Sequence, residues 1–128
     1  MSLSEHATVL LVEDVRRALD YYRDALGFEV SGYEQLPEHY GFARRDACSV
    51  HFACFAKAPR RLPNCEIAPP DMFDMYVYAD DVDVLHAELR ERGADILHGP
   101  IHQGYGTYEF RVRDPHGYVI AFGNRGRS

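Results

Sequence analysis

Cysteine is scarce in this chain of 128 residues, and the three that occur, Cys48, Cys54 and Cys65, match no metal-binding spacing. An odd number of isolated cysteines is typical of reduced thiols in a cytosolic protein. Long apolar runs are also absent: the longest have the length of a strand, which excludes a membrane-spanning helix. The first residues lack the basic and apolar regions of a signal peptide. We therefore expect a cytoplasmic protein with no membrane partner.

Clustered positive charge is absent as well. The formal net charge is −6, and the 14 basic residues are scattered along the chain. A nucleic-acid-binding surface would require a basic face. The composition therefore predicts no nucleic-acid partner.

What the chain does contain is one pattern in two copies, at residues 11–30 and 77–96. Each copy reads as an apolar strand, an aspartate that caps a helix, an apolar stripe at helical spacing, a glycine stop and a second strand. Asp14 and Asp81 are the caps, and Gly27 and Gly93 are the stops. The duplication predicts a paired sheet with a concave face that is able to bind a ligand.

The rest of the chain extends both copies to the order βαβββ, which is an α+β fold. We expect a single domain over 1–128, with modules 1–56 and 71–128 joined by a linker, 57–70, that carries four of the seven prolines. The predicted strands are 7–12, 29–33, 40–44, 49–55, 72–79, 95–98, 107–113 and 118–123, and the second helix is 82–92. Half-open sheets leave edges that need a partner, so we expect a homodimer.

Two stretches identify a family resemblance. Residues 18–28, Ala-Leu-Asp-Tyr-Tyr-Arg-Asp-Ala-Leu-Gly-Phe, and residues 108–122, which contain the turn Asp114-Pro115-His116-Gly117, resemble the signatures of the vicinal-oxygen-chelate superfamily. That superfamily includes glyoxalase I, the extradiol dioxygenases, the fosfomycin resistance enzymes and the bleomycin resistance proteins. The resemblance implies two tandem βαβββ modules that form an incurved mixed sheet. It does not determine the reaction, because one fold hosts many activities.

In the metal-dependent members, four inward positions supply His and Glu ligands, and the resemblance maps them onto Ala7, His51, Asp74 and Ala121. Alanine offers no donor atom, and a divalent transition metal normally takes three or four protein ligands. The leading expectation is therefore that the chain needs no cofactor. The alternative is that His51, Asp74 and Glu109 hold a divalent metal such as Zn, Ni, Fe or Mn.

Strand alternation predicts the lining of the cavity. Tyr76 and Tyr78 share the inward face with Asp74, Phe55 shares it with His51, Arg111 lies beside Glu109, and Tyr105 is in a glycine-containing loop suited to a lid. Aromatic walls with a few polar anchors suit an organic ligand. The predicted ligand-binding residues are His51, Phe55, Asp74, Tyr76, Tyr78, Tyr105, Glu109 and Arg111, and no catalytic residue is predicted.

Three functions remain open. The leading hypothesis, which follows the bleomycin resistance-type members, is a metal-independent protein that sequesters an aromatic or cationic small molecule; Asp74 and Glu109 would anchor its polar group, and the resemblance implies a role in antibiotic resistance. The second is a metal-dependent lyase, isomerase or dioxygenase. The third is a regulatory or immunity-type module that uses the outer face of the sheet. The tyrosines also have a simpler explanation, namely that they fill the cavity.

Overall fold

The computed structural model describes residues 1–32, 39–54, 62–68 and 72–125. The chain divides into two compact units, Met1–Arg61 and Leu62–Ser128, called unit one and unit two below. Neither of the two helices in the described ranges, each of ten residues, is long and apolar enough to cross a membrane.

Unit one is a four-stranded sheet with one helix. Its sheet has the order β1-β4-β3-β2, with β1 parallel to β4 and the other pairs antiparallel. Its elements are β1 (Ala7–Val12), α1 (Val15–Asp24), β2 (Glu29–Gly32), β3 (Tyr40–Arg45) and β4 (Cys48–Cys54).

Unit two repeats this arrangement, with the sheet order β5-β8-β7-β6 and β5 parallel to β8. Its elements are a short 3₁₀ helix (Asn64–Glu66), β5 (Met75–Tyr78), α2 (Val82–Glu91), β6 (Asp95–His102), β7 (Tyr108–Arg113) and β8 (Val119–Gly123). The predicted fold class, βαβββ repeated twice, is confirmed, with one four-stranded mixed sheet in each unit.

Both helices begin directly after the aspartates that the sequence indicated as caps, Asp14 and Asp81. The Asp14 side chain accepts a hydrogen bond from the backbone N–H of Arg17 at 3.0 Å, and Asp81 does the same for Val84 at 3.1 Å. Each bond satisfies an amide of the first turn that has no partner within the helix. The apolar stripe of α1 is buried at Val15, Ala18, Leu19 and Tyr22.

Strand β6 is longer than predicted. It continues through Gly99 and Pro100 to His102, whereas the sequence suggested an end near residue 98. Two register shifts against β7, between Ile96 and His98 and between His98 and Ile101, accommodate these residues. An edge strand tolerates proline because its outer N–H groups pair with no neighbour.

The described part of the predicted linker, residues 62–68, packs within unit two. Pro63 is buried, the backbone N–H of Asn64 donates to Asp74, and the Cys65 Sγ lies 3.6 Å from the Gly117 carbonyl oxygen. The other predicted linker residues, 57–61 and 69–70, and the predicted strand ends Tyr33 and Phe55 lie outside the described residues.

The strand register separates two faces of the sheet in unit two. Phe110 packs against His86 of α2 with ring centroids 5.1 Å apart, so the alternate residues Val77, Val112, Ile120 and Phe122 face the helix. The opposite surface, called the helix-distal face, carries Tyr76, Tyr78, Glu109, Arg111 and Ala121.

Candidate functional site

A buried carboxylate lies at the centre of the helix-distal face. The Glu109 side chain is fully buried, and its Oε1 accepts hydrogen bonds from the Tyr105 hydroxyl at 2.6 Å and the Thr107 hydroxyl at 2.7 Å. Arg111 brings its Nε to 3.4 Å from Oε2. Glu109 and Arg111 lie together because alternate residues of β7 share one face, and Thr107, just before the strand, reaches the same carboxylate through its hydroxyl. These hydroxyl and guanidinium donors satisfy the buried charge within unit two.

Tyr105 reaches this carboxylate from the turn between β6 and β7. The turn is closed by backbone hydrogen bonds from Gln103 to Thr107 at 2.8 Å and from Gly106 to Gln103 at 3.0 Å. The sequence predicted Tyr105 as a lid, and the structure shows its hydroxyl on Glu109. Desolvation raises the pKa of the Tyr105 phenol, and the hydrogen bond to Glu109 raises it further.

Three aromatic rings form a row beside the Glu109 network. The centroids of Phe73 and Tyr76 are 5.5 Å apart, and those of Tyr76 and Tyr78 are 5.2 Å apart. We call these three rings the aromatic row. Tyr76 is anchored by a hydrogen bond from its hydroxyl to the Asn124 carbonyl at 3.3 Å, and partial burial raises its pKa. Tyr78 is 56% exposed, so part of its side chain is open to solvent.

A guanidinium lies over the ring at each end of the aromatic row. The Cζ atom of Arg111 is 5.2 Å from the Phe73 centroid, and that of Arg125 is 4.3 Å from the Tyr78 centroid. Both distances are within the range of a cation–π interaction. Neither Phe73 nor Arg125 was predicted as a site residue, although continuing the alternation of β8 from Ala121 through Gly123 would have indicated Arg125.

Gly123 provides the space in which Tyr76 and Glu109 meet. A Cβ atom at this position would contact the Tyr76 hydroxyl and lie 2.8 Å from the Glu109 Cβ. Position 123 must therefore be glycine if Tyr76 and Glu109 are to keep their positions.

Asp74 has an environment different from the predicted one. Its Oδ1 accepts from the backbone N–H of Asn64 at 2.8 Å, and its Oδ2 accepts from that of Val119 at 2.9 Å. Asp74 precedes β5, so strand alternation with Tyr76 and Tyr78 does not determine the direction of its side chain. The carboxylate joins the 3₁₀ helix region to β8, and it has two backbone partners where the sequence predicted a ligand anchor.

His51 belongs to a separate cluster in unit one. Its Nδ1 is 3.1 Å from the Tyr40 hydroxyl, and its ring packs edge-on against Phe42 with centroids 4.9 Å apart. Phe55, the predicted neighbour of His51, lies outside the described residues. Of the predicted residues, Tyr76, Tyr78, Tyr105, Glu109 and Arg111 are brought together in unit two.

Two residues of the alternative metal set, Asp74 and Glu109, already have hydrogen-bond partners within unit two. In the described ranges, no three His, Cys, Asp or Glu side chains converge as metal ligands. The oxygens of Asp74 accept backbone amides, and those of Glu109 face Tyr105, Thr107 and Arg111. A cation could reach Glu109 only by displacing one of its donors, because this side chain is fully buried, whereas each Asp74 oxygen accepts one backbone amide and keeps a second lone pair.

Comparison with known proteins identifies relatives of the same fold. The structure is similar to TioX from Micromonospora sp. ML1, with a TM-score of 0.71 and 20% identity over 94% of this chain and 98% of that one. The bleomycin-binding protein of bleomycin-producing Streptomyces verticillus, solved with copper(II)-bleomycin, gives a TM-score of 0.69 and 21% identity over 99% of both chains. Lactoylglutathione lyase from Agrobacterium tumefaciens gives 0.68 and 22%, over 97% of this chain and 95% of that one.

No curated protein sequence matches the chain. The family model of the glyoxalase/bleomycin resistance protein/dioxygenase superfamily matches residues 5–122, which is nearly the whole sequence. The chain belongs to the glyoxalase/bleomycin resistance protein/dioxygenase superfamily.

Proposed function

We propose that this protein binds a flat aromatic small molecule on the helix-distal face of unit two and sequesters it without chemical conversion. The observation that carries the proposal is the aromatic row next to a polar network whose central carboxylate is fully buried. Aromatic side chains with a few fixed polar groups are typical of sites for organic ligands. In this proposal the ligand packs on the exposed Tyr78 ring, and the tilted Tyr76 ring holds Tyr78 in position.

The state of Glu109 favours binding over catalysis. A general base must come within hydrogen-bond reach of the proton that it removes. Glu109 is completely buried, and its oxygens already face Tyr105, Thr107 and Arg111. As arranged, this carboxylate supports the site and is closed to a substrate.

The proteins of similar structure include a binding protein and an enzyme, so two functions are compared. The bleomycin-binding protein supports sequestration of a small molecule, as in the bleomycin resistance-type members, and a homodimer and a role in antibiotic resistance are part of the same proposal. Lactoylglutathione lyase has the same fold and favours a metal-dependent enzyme as the second candidate. Against the second stand Ala7 and Ala121, which offer no donor atom at two implied ligand positions.

A binding titration with a neutral flat compound, 2-naphthamide, tests the proposal. Tyr78→Ala and Tyr76→Ala should each weaken binding by about 1–3 kcal/mol, the range for losing one stacking partner. Tyr108→Ala is the matched control, because Tyr108 lies on the other face of the sheet and bonds Asp83 of α2 at 2.6 Å. The proposal is wrong if 2-naphthamide does not bind, or if binding is the same in all three variants.

Elemental analysis of protein purified without a metal-binding tag tests the second candidate directly. The binding proposal predicts well under one equivalent of zinc, nickel, iron or manganese. Stoichiometric metal that is lost in the His51→Ala variant would instead favour the metal-dependent enzyme.

A further inference from the structure

We propose that the ligand of the helix-distal face is an aromatic anion, a flat ring system with a carboxylate or an equivalent acidic group. This inference rests on the proposed function and specifies the charge of the ligand. It differs from the sequence-based expectation of a cationic ligand anchored by Asp74 and Glu109.

The first observation is the position of two cations. Arg111 and Arg125 lie over Phe73 and Tyr78, the two end rings of the aromatic row. The N–H groups of a guanidinium lie in its plane, so a guanidinium whose face packs on a ring still directs them outward. Two of these N–H groups can bind the two oxygens of a carboxylate. A planar ligand that takes the place of Arg125 over the Tyr78 ring would have that guanidinium beside its own edge.

The second observation is that the nearest negative charge is closed to a ligand. Glu109 is fully buried and has the Tyr105 and Thr107 hydroxyls on one oxygen and Arg111 near the other. An ammonium group could reach it only by displacing one of these donors. Glu109 is thus a positioning residue that holds Arg111 and does not itself contact the ligand.

The other charged residues of the helix-distal face do not make its electrostatic potential negative. Asp74, next to Phe73, directs its oxygens to the backbone amides of Asn64 and Val119. Asp95 and Arg113 are opposite each other in the register of β6 and β7, so their charges offset. Arg111 is likewise offset by Glu109 and adds a hydrogen-bond donor, so the cation that decides the sign is Arg125, which attracts an anion on the aromatic row and repels a cation.

Three probes of one shape test the inference: 2-naphthoate, 2-naphthamide and 2-naphthylmethylammonium. The chain contains no tryptophan, so naphthalene fluorescence can be followed against a background of tyrosine alone. We expect 2-naphthoate to bind about tenfold or more tightly than 2-naphthamide, the effect of one charge-assisted hydrogen bond. The ammonium compound should bind most weakly, and added salt should reduce the difference between the charged probes.

Variants assign the preference to the two arginines. Arg125→Gln should bring the affinity for 2-naphthoate close to that for 2-naphthamide, whereas Arg92→Gln, the control with the same change in net charge, should not. Arg92 lies at the end of α2 and pairs with Glu88 at 2.9 Å. Because Arg111→Gln leaves the buried Glu109 without its cation, the Glu109→Gln/Arg111→Gln double variant is measured beside it, and it should reduce the preference, through the lost Arg111 donor, while remaining folded.

The possible outcomes separate the two proposals. Binding of 2-naphthamide with equal or tighter binding of the ammonium probe would overturn the anionic preference and leave the proposed function standing. A preference for 2-naphthoate that survives in both Arg125→Gln and the double variant would show that these arginines do not create it. Failure of all three probes to bind would overturn the proposed function and this inference with it.

Discussion

The Tyr105 hydroxyl donates a hydrogen bond of 2.6 Å to the buried Glu109, although 59% of the Tyr105 residue is exposed. The ring therefore lies at the surface while its polar end points inward. A single side chain thus covers the carboxylate and satisfies one of its oxygens.

This contact predicts a loss of stability at alkaline pH. Burial and the bond to Glu109 raise the pKa of Tyr105 above its unfolded value of about 10. The neutral phenol is favoured in the folded protein, so its contribution is complete below the unfolded pKa and is lost as the pH rises through the folded pKa. We expect the free energy of unfolding, measured by urea denaturation, to decrease above a pH of about 10.

The Tyr105→Phe variant identifies the source of this decrease. It should lower stability at neutral pH and reduce the slope above a pH of about 10, because the ionising phenol has been removed. Tyr108→Phe is measured beside it: the bond to Asp83 raises the pKa of Tyr108 as well, so this variant should also reduce the slope, and the two reductions should add in the double variant. If the slope in Tyr105→Phe equals that of the parent protein, Tyr105 does not control the alkaline transition.

A second prediction concerns Asp74. Asp74→Ala removes the acceptor of two backbone N–H groups and should lower the free energy of unfolding by about 1.5–3 kcal/mol, the range for hydrogen bonds to a charged group. Asp74→Asn keeps one oxygen and should lose less. Asp80→Ala, which removes an exposed carboxylate beyond the other end of β5, is the control and should change stability little.

The same variants distinguish a structural role for Asp74 from the role of ligand anchor. We expect Asp74→Asn to keep its affinity for 2-naphthamide. A large loss of affinity at unchanged stability would restore Asp74 as a ligand-binding residue.

Two glycine substitutions provide a third prediction. Gly123→Ala places a methyl group against the Tyr76 hydroxyl and Glu109, so the Tyr76 ring must tilt and binding of 2-naphthamide should weaken. Gly41→Ala in unit one places a methyl group 2.8 Å from the Leu19 Cδ1 and 2.9 Å from the Val15 Cγ1, between the sheet and α1. Overpacking of this kind typically costs about 1–3 kcal/mol.

Denaturation and binding measured on both glycine variants check this prediction. Gly41→Ala should lose stability and keep its affinity for 2-naphthamide, whereas Gly123→Ala should lose affinity. Unchanged binding in Gly123→Ala would show that the position of the Tyr76 ring does not matter to the ligand.

The fourth prediction concerns assembly. Each sheet is open and has an edge strand on both sides, namely β1 and β2 in unit one and β5 and β6 in unit two. Such edges are normally covered or paired. Light scattering should therefore give about twice the chain mass of 14.6 kDa, and the mass of a single chain at micromolar concentration would contradict this prediction.

The fold could be predicted from the sequence because its determinants are local. Asp14 and Asp81 cap helices, and the apolar stripe of α1 is buried as its spacing indicates. Alternation also assigned Tyr76 and Tyr78 correctly to the face opposite α2. These features depend only on residues that are close in sequence.

Other parts of the site depend on contacts between distant segments. The Asp74 side chain is fixed by Asn64 and Val119, neither of which is near it in sequence, and no periodic pattern encodes this arrangement. Phe73 joins the aromatic row from outside any strand, where alternation gives no direction. The extension of β6 past Pro100 depended on register shifts that a strict period of two excludes.

The Glu109 network has one further property, which is that its four side chains come from residues 105–111. One short hairpin segment therefore contains the acid, its countercharge and its two hydroxyl donors. Substituting these four side chains would change the electrostatics of the site while leaving Phe110, in the same segment, packed against α2. Substitutions within this one segment of seven residues are therefore sufficient to change which ligands the surface recognises.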